Sequence, residues 1–205
     1  MIIGVIIIYF VILLILGIIA SRNISSLEDF SLGGRKLDSI LLATSVSSTG
    51  MSAWLALGFA SYTYENGLQS LWTMVPSATI GVYLSYKLVS RRIRIYSQKT
   101  NSITIIEVIR KRFYDENNAL TIVFSIVLTA AAIIYVSGQL VAVGKLLDVL
   151  LGWDYYSSII VAVIIVVFYT SIGGFTAVAW TGFIQCSLMV AGSFIAGSLV
   201  VQYTG

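Results

Sequence analysis

Twenty consecutive residues at 1–20, MIIGVIIIYFVILLILGIIA, carry no charge. At about 1.5 Å per residue, a helix of that length matches the roughly 30 Å hydrocarbon core of a bilayer. Removal as a signal peptide is disfavoured, because no Lys or Arg precedes the run and the run is longer than a usual signal core. Similar apolar stretches follow at residues 40–62, 67–89, 120–143, 156–172 and 183–201, the fourth extending to 151 if its helix stands clear of the bilayer. The pattern predicts six membrane-spanning helices in an all-α integral membrane protein. Composition agrees: 58% of residues are hydrophobic and 10% charged, where soluble domains carry about a quarter charged. With no His and a single Cys, Cys186, His-based triads, zinc clusters and internal disulfides are excluded.

The charges fall between the stretches or at their ends. Residues 21–39 hold Arg22, Arg35 and Lys36, and residues 87–118 hold Lys87, Arg91, Arg92, Arg94, Lys99, Arg110, Lys111 and Arg112. Of the twelve basic residues only Lys145 lies elsewhere. Basic loops stay in the cytoplasm, so the first, third and fifth linkers are expected inside and the N-terminus outside. The basic stretch is then explained by anionic lipid without any nucleic acid. Within it, Ile105, Ile106, Ile109 and Phe113 recur at helical spacing among Glu107, Arg110, Lys111 and Asp115. That spacing predicts an amphipathic helix on the cytoplasmic interface.

Two apolar stretches have polar centres. The second contains Ser45, Ser47, Ser48, Thr49, Gly50 and Ser52. Hydroxyls in a membrane helix can bond back to carbonyls one turn earlier or serve as small packing residues. Six such positions together instead predict a broken helix, whose freed carbonyls suit a cation and whose freed amides suit an anionic group. The fourth stretch carries Tyr135, Ser137, Gly138 and Gln139. Tyr135 and Gln139 share a helix face, which fits either a solute cavity or an interhelical hydrogen bond. The glycine pair opening GGFTAVAWTGFIQ (173–185) permits a tight turn between the last two stretches.

Four motifs, DFSLGGRKL (29–37), STGMSAWLALG (48–58), YVSGQLVAVGKLL (135–147) and GGFTAVAWTGFIQ, occur in an order and spacing that resemble the sodium/solute symporter family, and within it the bacterial sodium/proline symporters. The resemblance implies an extra N-terminal helix with a GGR cytoplasmic loop (1–39), followed by the first five-helix repeat (40–205) of the inverted-repeat, leucine-transporter-type fold, in one transmembrane domain (1–205). It implies sodium at the backbone carbonyls of Ser48 and Met51, with Thr49 beside them. Ser52, Ala53, Tyr135 and Gln139 are implied at the solute, and Arg35 in the loop that closes the inner face. No cofactor is implied beyond Na+ as coupling ion.

The expected function is sodium-coupled symport of a small solute, such as the amino acid proline, across the plasma membrane, with no enzymatic step. Gly50 and Gly182 stand where the family carries aspartates, which weakens the expectation of strong sodium coupling. A sodium-independent or non-transporting sensor is the alternative. The second repeat is missing from these 205 residues, so a truncated, inactive fragment, or a need for a partner chain, is also expected.

Overall fold

The structure, a computed structural model, describes residues 2–22 and 24–204; Met1, Asn23 and Gly205 lie outside it. The helices run in the order α1 (Ile2–Ser21), α2 (Leu27–Leu32), α3 (Ser39–Gly50), α4 (Ala60–Asn66), α5 (Gln69–Leu84), α6 (Arg91–Lys99), α7 (Ile105–Phe113), α8 (Ala119–Leu151) and α9 (Tyr155–Thr204). π-helical stretches at Trp54–Phe59 and Ser85–Ser90 lead directly into α4 and α6. Among the described residues three helices are individually long and apolar enough to cross a membrane: α1, α8 and α9.

Length sets what α8 and α9 can do. The 33 residues of α8 span about 50 Å, more than a straight crossing of the hydrocarbon needs, and the helix ends at the longer of the two expected boundaries. The 50 residues of α9 would reach about 75 Å as a straight rod, more than twice the hydrocarbon thickness. Gly174 prevents that, because its φ of 53° and ψ of −151° interrupt the helix. Residues 173–182 were expected as a linker, but they stay helical apart from this one residue. A single left-handed glycine makes the turn, and no loop is needed.

The chain forms two compact units. One comprises the chain up to Ala56 and from Gln139 onward; the other is Leu57–Gly138. In the first, α1 lies along α9. Leu13 and Ala20 of α1 bury against Tyr169 and Ala177 of α9, with Tyr9, Phe10, Leu14, Ile165 and Val178 packed around them. The Gln185 Nε2 donates to the Tyr9 hydroxyl at 2.8 Å, a polar bond across an otherwise apolar seam. Short α2 starts with a capping box: the Asp29 N–H donates to Ser26 Oγ, and the Ser26 N–H donates back to Asp29 Oδ2. It then packs on α9 at the turn, where a Cβ on Gly174 would lie 2.6 Å from the Phe30 carbonyl oxygen.

In the second unit α7 forms where amphipathic spacing predicts. Thr104 Oγ1 accepts the Glu107 N–H at 3.2 Å, and Glu107 Oε2 accepts the Ile103 N–H at 2.7 Å. Those backbone donors, Ile103 first, hold the Glu107 carboxyl below its ordinary range. The face that buries is centred on Val108, while Ile105 and Phe113 are exposed. Exposed apolar side chains beside Arg110 and Arg112 suit a bilayer interface. Helix α5 also runs on past the expected boundary at 89, through the second π-helical stretch and α6 to Lys99.

Candidate functional site

The polar centre of the second apolar stretch is where the helix stops. Helix α3 starts with Asp38, whose side chain accepts the Ile40 N–H at 2.9 Å, and ends at Gly50. Its last regular bond runs from the Met51 N–H to the Ser47 carbonyl at 3.0 Å. Beyond that point the donors change partners. The Ala53 N–H donates to Gln139 Oε1 of α8 at 2.9 Å. The Trp54 N–H donates to Ser52 Oγ at 3.3 Å, and the Leu55 N–H donates to the Ser52 carbonyl at 3.0 Å. In a continuous helix these three donors would serve the carbonyls of Thr49, Gly50 and Met51. All three are engaged elsewhere.

The hydroxyls just before the break behave differently. Ser48 Oγ and Thr49 Oγ1 both donate to the Ser45 carbonyl, at 2.7 and 3.1 Å. This is the back-bonding of small polar residues in membrane helices. A hydroxyl that donates can also accept. Ser45, buried between α3 and α9, is thus the acceptor that orients both hydroxyls. Its place in the serine run did not distinguish it from its neighbours.

Helix α9 presses on the same spot from its second arm. A Cβ added to Gly182 would lie 2.7 Å from Ser48 Oγ and 3.0 Å from the Ser45 Cα. At Gly50 the same operation meets nothing within 4 Å. The two positions where the family resemblance puts aspartates therefore differ: one is open, the other is a close helix crossing where a side chain would displace the Ser48 hydroxyl and press on Ser45.

Electrostatically the interruption has two poles. The C-terminal end of α3 carries the negative end of the helix dipole and favours a cation. The carbonyls of Gly50 and Met51 sit at that end, beside Ser48 and Thr49. Among the described residues no group of three or more His, Cys, Asp or Glu side chains gathers, so an ion here would meet neutral oxygens. Hard alkali cations accept such ligands, as carbonyl-lined membrane sites illustrate.

The remaining predicted residues lie as follows. Gln139 meets the break directly through Ala53. Tyr135, one turn earlier on α8, is half exposed. Arg35 lies apart, in the loop after α2, where its Nε donates to Glu28 Oε1 at 2.7 Å. Gly33, Gly34 and Arg35 all have positive φ, at 59°, 61° and 57°, so Arg35 holds a left-handed conformation that costs a non-glycine residue about 1–2 kcal/mol. Glu28 was missed by sequence reasoning, since the pair is seven residues apart and spans a turn whose geometry no spacing rule encodes.

These features define a class: an all-helical membrane protein with long apolar helices and a polar, interrupted helix of the kind that transporters use for ions. Residues 30–205 match the sodium:solute symporter family, and the chain belongs to it. It is 32% identical to the sodium/proline symporter of Staphylococcus aureus over 184 residues, covering 89% of this chain and 36% of that protein. It is 34% identical to the high-affinity proline transporter PutP of Bacillus subtilis (strain 168) over 194 residues, covering 94% of this chain and 41% of that one. The chain thus spans less than half the length of these relatives. No solved structure matches it.

Proposed function

We propose that the chain forms part of a symporter that couples entry of sodium to entry of a small solute, an amino acid such as proline, by alternating access across the plasma membrane. The observation that supports this most strongly is the interruption of α3 at residues 51–53, inside the family-matched region. Sodium binds at the carbonyls of Ser48 and Met51 with Thr49 beside them. Ser52 and Ala53 border the solute, together with Tyr135 and Gln139 from α8. Ion binding favours the outward-open form, and no bond is made or broken in the solute. The relatives named as proline transporters make proline the first solute to test.

In this reading there are six spans. The first is the additional helix, and the others form the first repeat of the leucine-transporter-type fold, with the N-terminus outside and one transmembrane domain throughout. The turn at Gly174 separates the fifth span from the sixth. The GGR loop with Arg35 closes the inner face. The reading needs a second five-helix repeat, from a longer chain or from a partner, to complete the cavity. A second reading, sodium-independent binding, draws support from one observation: Gly182 has no room for a carboxylate beside Ser48.

Uptake of labelled proline into proteoliposomes tests both. One set contains the 205-residue chain together with the C-terminal part of the Bacillus subtilis relative; another contains the chain alone. An inward sodium gradient is expected to accelerate uptake by the pair, and an ionophore to abolish the acceleration. Uptake indifferent to sodium overturns coupling in favour of the second reading. No uptake by a pair that co-purifies overturns transport.

A further inference from the structure

We infer that Gln139 is a positioning residue that keeps α3 interrupted by holding the Ala53 amide, and so sets the affinity of the cation site without touching the ion. The inference rests on the sodium reading above. The Ala53 N–H lies in a segment read as crossing the bilayer, where a backbone donor without an acceptor is expensive. Two acceptors compete for it. One is the Thr49 carbonyl, four residues back, which would receive it in an unbroken helix. The other is Gln139 Oε1, which takes it at 2.9 Å from 86 positions along the chain.

The choice between them propagates. With Ala53 held by Gln139, Trp54 turns to Ser52 Oγ and Leu55 to the Ser52 carbonyl. The donors that belong to Gly50 and Met51 are thereby withdrawn. If Ala53 returned to Thr49, Trp54 and Leu55 would fall into register behind it. The carbonyls of Gly50 and Met51 would then point along the helix axis into hydrogen bonds, and away from an ion. The local sequence does not forbid such rewinding: between Ser48 and Leu55 Gly50 is the one glycine, costing about 1 kcal/mol relative to Ala, and no proline lies between 45 and 60. The acceptor oxygen of Gln139 is the feature that holds the break.

Two substitutions separate that oxygen from the bulk of the side chain. Gln139→Leu keeps the volume and removes the acceptor, whereas Gln139→Glu keeps an acceptor. Both are compared with the wild type as the 205-residue chain co-purified with the C-terminal part of the Bacillus subtilis relative in lipid nanodiscs, with sodium chloride as the probe and choline chloride as the control. Sodium affinity is read from sodium-dependent protection against thermal unfolding. Q139L is expected to weaken it about 5-fold, the factor set by one net hydrogen bond, and Q139E, which keeps an acceptor and adds negative charge near the cation, to bind sodium at least as tightly as the wild type. Amide exchange over residues 51–55 is measured without sodium, and Q139L is expected to gain protection there as the helix rewinds.

Equal weakening by both variants would mean that Gln139 acts by packing, and overturns the inference. So does loss of protection at Ala53 alone in Q139L, which would show a cap that does not shape the backbone. Unchanged exchange in Q139L rejects the cap itself. A wild-type chain that still ignores sodium once the C-terminal part of the Bacillus subtilis relative co-purifies with it ends the sodium reading, and the exchange data then still decide whether Gln139 holds the break.

Discussion

Residues 51–53 and Gly174 both interrupt a helix in the same compact unit, and they do so by opposite means. At 51–53 every residue can adopt helical geometry, and the interruption persists because side chains from Gln139 and Ser52 capture the backbone donors. At Gly174 the cause is steric. The backbone takes a φ of 53° and ψ of −151° that side-chain-bearing residues avoid, and the carbonyl of Phe30 fills the space where a Cβ would stand. A hydrogen-bonded break can be exchanged for regular helix by moving one acceptor. A steric turn cannot be relaxed without unpacking α2. Reversibility suits a place that binds and releases an ion; permanence suits a corner.

Substitution at the corner is expected to have the largest effect. Gly174→Ala should lower stability by about 3 kcal/mol, from the forbidden backbone conformation, and the contact with Phe30 adds to it. Thermal unfolding in detergent measures this, and a loss near zero would show that the corner is as adaptable as the break. Gly182→Asp comes next. It must push Ser48 and Ser45 away and should cost about 1–3 kcal/mol, as overpacking does. Gly50→Asp enters open space and should leave the unfolding midpoint unchanged at low sodium. If both aspartates are tolerated equally, the α3–α9 crossing is looser than its distances indicate.

At the break itself, Ser52→Ala removes the acceptor for the Trp54 N–H and should cost about 1 kcal/mol, with faster exchange at Trp54. The smallest effect concerns the support of the corner. Hydroxyl and amide donors, Ser25 Oγ first and then Ser26, lower the Asp29 pKa. A carboxylate with a depressed folded pKa stabilises the fold above its unfolded pKa, and the contribution disappears as pH falls through the folded value. Acidification below about pH 4 should therefore loosen α2 while leaving the break unaffected. Asp29→Asn should abolish that pH dependence, as followed by a fluorescent label on the loop.

The contrast also explains how much was legible in the sequence. Helix α1 was readable because it is apolar on every side and its burial needs no particular partner. The break was readable only in outline: the polarity of SVSSTGMS marks the segment, but Ser45 to Gly50 stay helical with Ser48 and Thr49 bonded back to Ser45, and the interruption is confined to 51–53. The reason the break persists was not readable, because Gln139 is remote in sequence and its polarity alone fits a cavity or a bond equally well. The pair at 173–174 announced a turn without revealing which glycine would take positive φ, so a ten-residue linker was expected where one residue suffices. The π-helical stretches WLALGF and SYKLVS carry no compositional mark at all. In α7 the spacing identified the helix, but it did not single out Val108 as the buried residue.

The bond between Tyr9 and Gln185 joins positions 176 residues apart, and this dictates an order of events during biosynthesis. At about 5–20 residues per second, the ribosome needs roughly ten to thirty-five seconds after making the tyrosine before its glutamine partner exists. For that interval the phenol, near the middle of α1, is without the partner it has in the finished fold. The groove between the first helix and the last is accordingly zipped only when translation of this region is nearly finished.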